Sequence, residues 1–249
     1  MAGGHATRIA MPATVVAGRG GFRWVKWAKS EPIRTRESIP YAAGHNLGGI
    51  LMSEFTTYRG LVFGAIGVLA ETSEIQRQAY NLAFRQAGLE WEWDKVRYRE
   101  MLHRPGGMLR IAEYAAMRGD LVDAEAVHAR KVANFRAAVL RDGLTPRPGV
   151  IEMLQAAQAA RLPVAWATTT GRQTVELMLE GLSGSLVEAD FAFVGDRSMV
   201  EHPKPAPDIY RRALDVLGLS ADEVLAIEDT PESAEAAVGA GLNTIGFPG

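Results

Sequence analysis

With 249 residues, 47% of them hydrophobic and 22% charged, the chain is long enough for one substantial core and a smaller second unit. It has no cysteine, which rules out disulfides, thiol catalysis and Cys-based zinc sites and suits a cytoplasmic protein, and no apolar run approaches the roughly 20 residues of a bilayer-spanning helix. The net charge of −2 conceals a basic start: residues 1–51 carry Arg8, Arg19, Arg23, Lys26, Lys29, Arg34 and Arg36 against Glu31 and Glu37, which leaves an acidic body unsuited to a nucleic-acid enzyme.

The first 51 residues show no sustained period of 2 or 3.6 and are interrupted by glycines and prolines. Within them "GFRWVKWAKS" alternates basic and aromatic residues, a pattern open to a nucleic-acid, membrane-surface or organellar-targeting reading. The plainer reading is a disordered extension, or a start at Met52 with the preceding residues outside the native protein. From residue 60 the pattern becomes regular. Strands are expected at 61–64, 163–168, 191–194, 224–228 and 243–247, with helices at about 148–160, 172–181, 206–217 and 231–240. Strands alternating with helices pair in parallel through right-handed crossovers, so the fold class is α/β, a doubly wound parallel sheet. Pro148 is expected in a first helical turn, and Gly218 and Gly241 just past helix ends. Residues 72–145 break the alternation. Ile75, Ala79, Leu82 and Ala83 form one helical stripe, and further helical patterns cover 94–103, 107–118 and 122–141. The expected organisation is therefore an extension over 1–51, a core over 60–71 and 146–249, and an inserted helical cap over 72–145, placed to close a small-molecule site.

Ligands of such sheets bind beyond the carboxyl ends of the strands. After the first strand stand Gly64, Ala65, Ile66 and Gly67, and after the second Thr168, Thr169 and Thr170. "HPKPAPDIY" sets Lys204 between prolines that restrict its backbone. The fourth strand ends in Glu228 and Asp229, which either favour the positive end of the next helix or offer oxygen ligands to Mg²⁺. His5, His45, His103, His128 and His202 are scattered without an i, i+4 pair, so histidine metal binding is not expected.

The order strand–loop–GV–L–x–x–T, strand–Thr, K-P-x-P-x-x-Y and E-D-[ST]-x-x-[GS]-x-x-A-A-x-x-A-G resembles the haloacid dehalogenase superfamily. The likeness covers about residues 60–249 and is strongest to the branch with a helical cap, which includes β-phosphoglucomutase and the CbbY-type sugar-phosphate phosphatases. That resemblance implies a small phosphorylated metabolite as ligand and Mg²⁺ as cofactor. It implies that Thr168 and Thr169 bind the phosphoryl group, that Lys204 neutralises it, and that Asp229 with Glu228 holds the metal. Thr72 would support the loop entering the cap, and Gly107 and Arg110 of "RPGGMLRIAEY" would face the substrate. Met108 replaces a lysine common in CbbY-like caps, and Gln76 stands where the mutase branch has a histidine. Relatives commonly continue into a further helical segment after the fifth strand. Here the sequence ends soon after that strand, at "TIGFPG", so one sheet face is expected to be thinly covered or completed by a second subunit.

The family's first strand ends in D-x-D-G-[TV]-L-x-[DE]-T, whereas this chain has Gly64-Ala65-Ile66-Gly67-Val68-Leu69-Ala70-Glu71-Thr72. Gly64 takes the position of the nucleophile and Ile66 that of the general acid/base. Losing a nucleophile costs a serine protease roughly 10⁶ in turnover, about 8 kcal/mol of barrier. Three readings follow: an impaired phosphatase that keeps a phosphate and Mg²⁺ pocket, with the metal held weakly or lost; an active Mg²⁺-dependent phosphatase with a relocated nucleophile such as Glu71; and a non-catalytic interaction module.

Overall fold

The structure, a computed structural model, describes residues 13–17, 23–27, 57–102 and 106–246. Most of the 1–51 extension, Met52, His5, His45 and His103 lie outside the described residues. The chain divides into two compact units. One comprises Met1–Leu69, Arg147–Val175 and Leu186–Gly249, the other Ala70–Pro146 and Glu176–Ser185.

The first unit is built on a seven-stranded sheet in the order β1-β2-β7-β6-β3-β4-β5. Five strands are parallel: β3 (Gly60–Phe63), β4 (Val164–Trp166), β5 (Phe193–Val194), β6 (Val224–Glu228) and β7 (Asn243–Gly246). β3, β4 and β6 are apolar almost throughout because they are buried along their whole length, as parallel strands covered on both faces must be. The order reverses at β3, which lies between β6 and β4, and this switch point is where an open α/β sheet forms its ligand crevice. Helices α6 (Val150–Ala159), α8 (Asp208–Leu217) and α9 (Pro231–Gly239) follow or precede the strands, and α7 (Arg172–Leu182) has only its first residues in this unit. On one face, Ile209, Tyr210 and Ala213 of α8 and Ala236 and Ala237 of α9 pack with Val62, Ala165 and Ala226 of the sheet.

Two strands were not foreseen. β1 (Ala13–Ala17) and β2 (Arg23–Trp27) form an antiparallel pair, and β2 also runs antiparallel to β7, so part of the N-terminal segment belongs to the sheet. Each is only five residues long, with three glycines in the stretch between them, too short for a periodicity to register. Pro148 also stands differently from expectation. It precedes Gly149, the N-cap of α6, whose φ of 92° a residue with a side chain adopts only under strain. Gly218 closes α8 in the left-handed conformation, as expected of a C-cap.

The second unit is helical: α2 (Ser73–Gln86), α3 (Lys95–Met101), α4 (Gly107–Arg118) and α5 (Ala124–Asp142). A four-residue helix, α1 (Ile66–Leu69), precedes it. Its core is aromatic, with Tyr80, Phe84, Trp91, Trp93, Tyr98 and Tyr114 around Ile111 and Val127. α2 buries Ala79, Tyr80, Ala83 and Phe84, while Leu82 of the expected stripe is exposed. At 3.6 residues per turn, Leu82 lies about 100° from Ala83 and falls off the buried face. Buried Asn81 anchors the segment between α2 and α3. Its Nδ2 donates to Trp93 O at 3.0 Å, and its Oδ1 accepts from Trp93 N at 2.9 Å. No helix among the described residues is long and apolar enough to cross a membrane.

Asn81→Ala removes both bonds and leaves the Trp93 amide unsatisfied in the aromatic core. Urea melts should show a loss of about 2 kcal/mol, far more than for alanine at exposed Gln78.

Candidate functional site

Three neighbouring strands deliver the predicted residues to the carboxyl edge of the sheet. Phe63 of β3 is level with Ile227 of β6 and Trp166 of β4, so the chain beyond each strand emerges side by side. The ladder continues one step further, with Gly64 N donating to Ile227 O at 2.9 Å and Ala167 N to Phe63 O at 2.7 Å. Gly64, Thr168 and Glu228 are thus brought to one edge, and all three are buried.

Gly64 is not glycine for backbone reasons, since it is not one of the described glycines with positive φ. The space a side chain would take is filled instead: a methyl group built on Gly64 collides with the Glu228 carboxyl. Glu228 is fully buried. One carboxyl oxygen accepts from Lys204 Nζ at 2.6 Å and from the Tyr210 hydroxyl, and the other from Ala65 N at 3.2 Å. Lys204 Nζ also reaches the Tyr210 hydroxyl at 3.0 Å and lies 4.7 Å from the centre of its ring. Burial pushes Glu228 up to about 7 against the pull of Lys204, with the negative charge of Asp229 adding to the rise. An ion pair this deep persists because each partner satisfies the other.

The remaining predicted residues here are arranged as follows. Thr168 Oγ1 accepts from Thr170 N at 3.2 Å, a turn-closing bond at the end of β4, and Thr169 is half-buried beside it. Ile66 begins α1 and is half-buried. Asp229 packs against Gly67, where a methyl group would meet its carboxyl. Of the two carboxylates expected to hold Mg²⁺, Glu228 is committed to a lysine and a tyrosine. No group of three or more His, Asp or Glu side chains suited to a metal occurs among the described residues.

A second constellation lies wholly within the helical unit. A cavity of about 290 Å³ is lined by Thr72, Gln76 and Tyr80 of the α2 region, Tyr98 of α3, Gly107 and Arg110 of α4, and His128 and Lys131 of α5, together with Ser73 and Leu102. Thr72, Gly107 and Arg110, expected to meet a ligand, are therefore brought together in it. Arg110 donates to Met101 O at 3.1 Å and to the Tyr80 hydroxyl at 3.3 Å. Gly107 is where the lack of a side chain matters, since its Cβ would stand 2.6 Å from both the Tyr80 hydroxyl and His128 Nε2. Lys131 Nζ donates to the Gln76 side-chain oxygen and lies 4.9 Å from the Tyr80 ring centre. Burial, reinforced by the charge of Arg110, lowers Lys131 to about 8. Burial and the same cations hold His128 below its usual range, while burial raises Tyr80 against the opposing pull of Arg110. Glu71, also in this unit, is exposed and accepts from Ser73 N at 2.7 Å.

Tyr210, Tyr80, Tyr98, His128 and Lys131 were not anticipated as site residues. Their signals were present as spacings. Tyr210 follows Lys204 by six residues in the proline motif, Gln76 and Tyr80 are i and i+4 on α2, and His128 and Lys131 are i and i+3 on α5.

The model of the haloacid dehalogenase-like hydrolase family matches residues 35–241. The chain is 37% identical over 198 residues to plasmid protein CbbY of Cupriavidus necator, covering 76% of this chain and 78% of that one. The crystal structure of CbbY from Rhodobacter sphaeroides in complex with phosphate superposes with a TM-score of 0.64 at 34% identity, over 77% of this chain and 87% of that one. A mutant of the same protein in complex with xylulose-(1,5)bisphosphate gives the same values.

Two outcomes follow from these contacts. Gly64→Ala should cost about 3 kcal/mol by forcing Glu228 off its partners, and much less in a Glu228→Ala background; the double-mutant cycle, read by urea denaturation, measures that coupling. Lys131 should give a pH signature. Its pKa is lower folded than unfolded, so the folded state pays the full penalty of the ammonium below about pH 8. Between about 8 and 10.5 the unfolded chain binds more protons, and stability rises with pH. Lys131→Met should therefore melt higher than wild type at pH 7, by about 1–2 kcal/mol after the lost Gln76 bond, and the gain should shrink toward pH 10.5 in thermal melts.

Proposed function

Since the chain belongs to the haloacid dehalogenase-like hydrolase family, we propose that it is a catalytically impaired relative of the sugar-phosphate phosphatases that recognises a phosphorylated metabolite without efficiently cleaving it. The observation that carries this reading is the Glu228 carboxyl in the side-chain space of Gly64, bound to Lys204, Tyr210 and Ala65 N. Family chemistry needs a carboxylate there to attack phosphorus in line and form an acyl phosphate. Gly64 supplies none, and Ile66 has no proton to exchange. Lys204 has its charge balanced internally, so it is poorly placed to stabilise a developing phosphoryl charge. Any Mg²⁺ affinity left to Asp229 and Glu228 is weak.

Recognition falls instead to the cavity of the helical unit. Arg110, Lys131 and His128 line it, and no Asp or Glu is among its described lining residues. Such a site favours a doubly charged phosphate, and Arg110 supplies a planar donor fork suited to phosphate oxygens. A small sugar phosphate, of the class that the CbbY crystal holds, suits the cavity's size and charge. Binding without preferential stabilisation of the transition state gives affinity and no rate.

An active phosphatase with a relocated nucleophile is the competing reading. The carboxyl that occupies the vacated space is Glu228, but both its oxygens are engaged, one by Lys204 and Tyr210 and the other by Ala65 N. Aryl phosphate and sugar phosphates should be turned over at less than about 0.1 per second with or without Mg²⁺, two orders below a typical enzyme. Faster turnover that disappears in Asp229→Asn, or an acyl phosphate trapped on Glu228, would defeat the proposal. Millimolar glycerol 3-phosphate should raise the melting temperature of wild type by a few degrees and that of Arg110→Met by much less. No shift in either would leave only the interaction module.

A further inference from the structure

Lys131 has a setting that anion recognition does not require. The residue is 8% exposed and its ammonium lies near two aromatic rings, with Nζ 4.9 Å from the centre of Tyr80 and 5.3 Å from that of Phe135. Its hydrogen-bond acceptor is the neutral amide of Gln76, and Arg110 and His128 share the cavity with it. Burial strips the ammonium of water and the neighbouring guanidinium repels it, and together these outweigh the attraction of the two ring faces. Such surroundings release a proton and leave a nucleophilic amine.

The groups beside it are suited to carbonyl chemistry. Burial keeps the Tyr80 hydroxyl protonated and able to donate. Burial and the neighbouring cations shift His128 toward its neutral form, whose ring nitrogen has a lone pair for a proton. Both approach the point where Gly107 would carry a side chain. Arg110, bonded to the Tyr80 hydroxyl, is within reach of an anionic group on the same small molecule.

We propose that Lys131 condenses reversibly with the carbonyl of an open-chain phosphorylated aldehyde or ketone, forming an imine in the helical unit's cavity while Arg110 holds the phosphate. The amine lone pair attacks the carbonyl carbon, and the carbonyl oxygen takes a proton from Tyr80. The resulting carbinolamine transfers a nitrogen proton to His128. It then expels its hydroxyl, which takes the proton back from His128 and leaves as water, as the nitrogen lone pair forms the C=N bond. The iminium nitrogen returns its remaining proton to the Tyr80 phenolate, so one water leaves for each imine made and both residues are restored. No oxidant or metal is needed. The proposal rests on the phosphate reading of the cavity and adds the class of ligand, a sugar phosphate with an accessible carbonyl.

The test uses glyceraldehyde 3-phosphate with cyanoborohydride, which reduces an iminium to a stable secondary amine, followed by peptide mass spectrometry. Exposed Lys95 is the internal reference. With a pKa near 8, roughly a tenth of Lys131 is free amine at pH 7, against well under a hundredth of an ordinary lysine, so even after reduced access its labelling should exceed that of Lys95 about tenfold. Glycerol 3-phosphate, similar in size and charge but without a carbonyl, should suppress labelling at Lys131 and leave Lys95 untouched. Lys131→Arg keeps a cation that cannot condense, and should lose the adduct while retaining the wild-type circular dichroism. Labelling of Lys131 no faster than Lys95 overturns the proposal, and the wild-type comparison needs no variant to fold. Stabilisation by glycerol 3-phosphate without a preferred adduct also overturns the imine but leaves phosphate recognition standing. A preferred adduct that glycerol 3-phosphate does not suppress supports the imine and overturns the phosphate anchoring.

Discussion

The sheet's carboxyl edge is organised by one buried ion pair, Lys204 with Glu228, whose negative partner fills the side-chain space of Gly64. A lysine and a carboxylate this deep each cost several kcal/mol to desolvate and persist only together. Tyr210 and the Ala65 amide complete the carboxylate's hydrogen bonding. Gly64 therefore belongs with Glu228, Lys204 and Tyr210 in one packing arrangement. The glycine provides space rather than backbone freedom, and any larger residue competes with the ion pair for that volume.

The helical unit follows the opposite electrostatic principle. In the sheet unit the lysine charge is met by a carboxylate at 2.6 Å, whereas Lys131 is met by an uncharged amide and aromatic rings. An internally neutralised cation offers little to an incoming anion. One left unneutralised in a cavity offers a great deal, at some expense in stability. The contrast between Lys204 and Lys131 thus separates a lysine neutralised inside the fold from one that lines a cavity without a carboxylate partner in hydrogen-bond reach.

Much of this architecture was legible in the chain. The parallel strands are short apolar runs because burial on both faces leaves no room for alternation, and α8 and α9 are bounded by Gly218 and Pro231 where capping chemistry places them. Arg110 and Gly107 could be named from their motif. Other features depend on contacts that linear pattern does not encode. Glu228 meets Gly64 across 164 positions of sequence, and a glycine in a motif does not reveal which side chain fills its space. Lys131 meets Gln76 across 55, and neither residue type is distinctive by itself. Leu82 looked like core because it shares a crowded apolar window with Ala79 and Ala83, yet the helical rotation carries it to the surface.

The N-terminal strands matter most for β7. Because β2 runs along it through Val25, Lys26 and Trp27, Gly246, Ile245 and Thr244 are flanked on both sides of the ladder. In a shortened form beginning at Met52, one row of β7 amides and carbonyls would lose its hydrogen-bonding neighbour. An uncapped row of this kind is a template for strand addition from another copy. Shortening the chain would thereby convert a solubility-neutral margin into an adhesive one, linking the N-terminal segment to colloidal behaviour as well as to the fold.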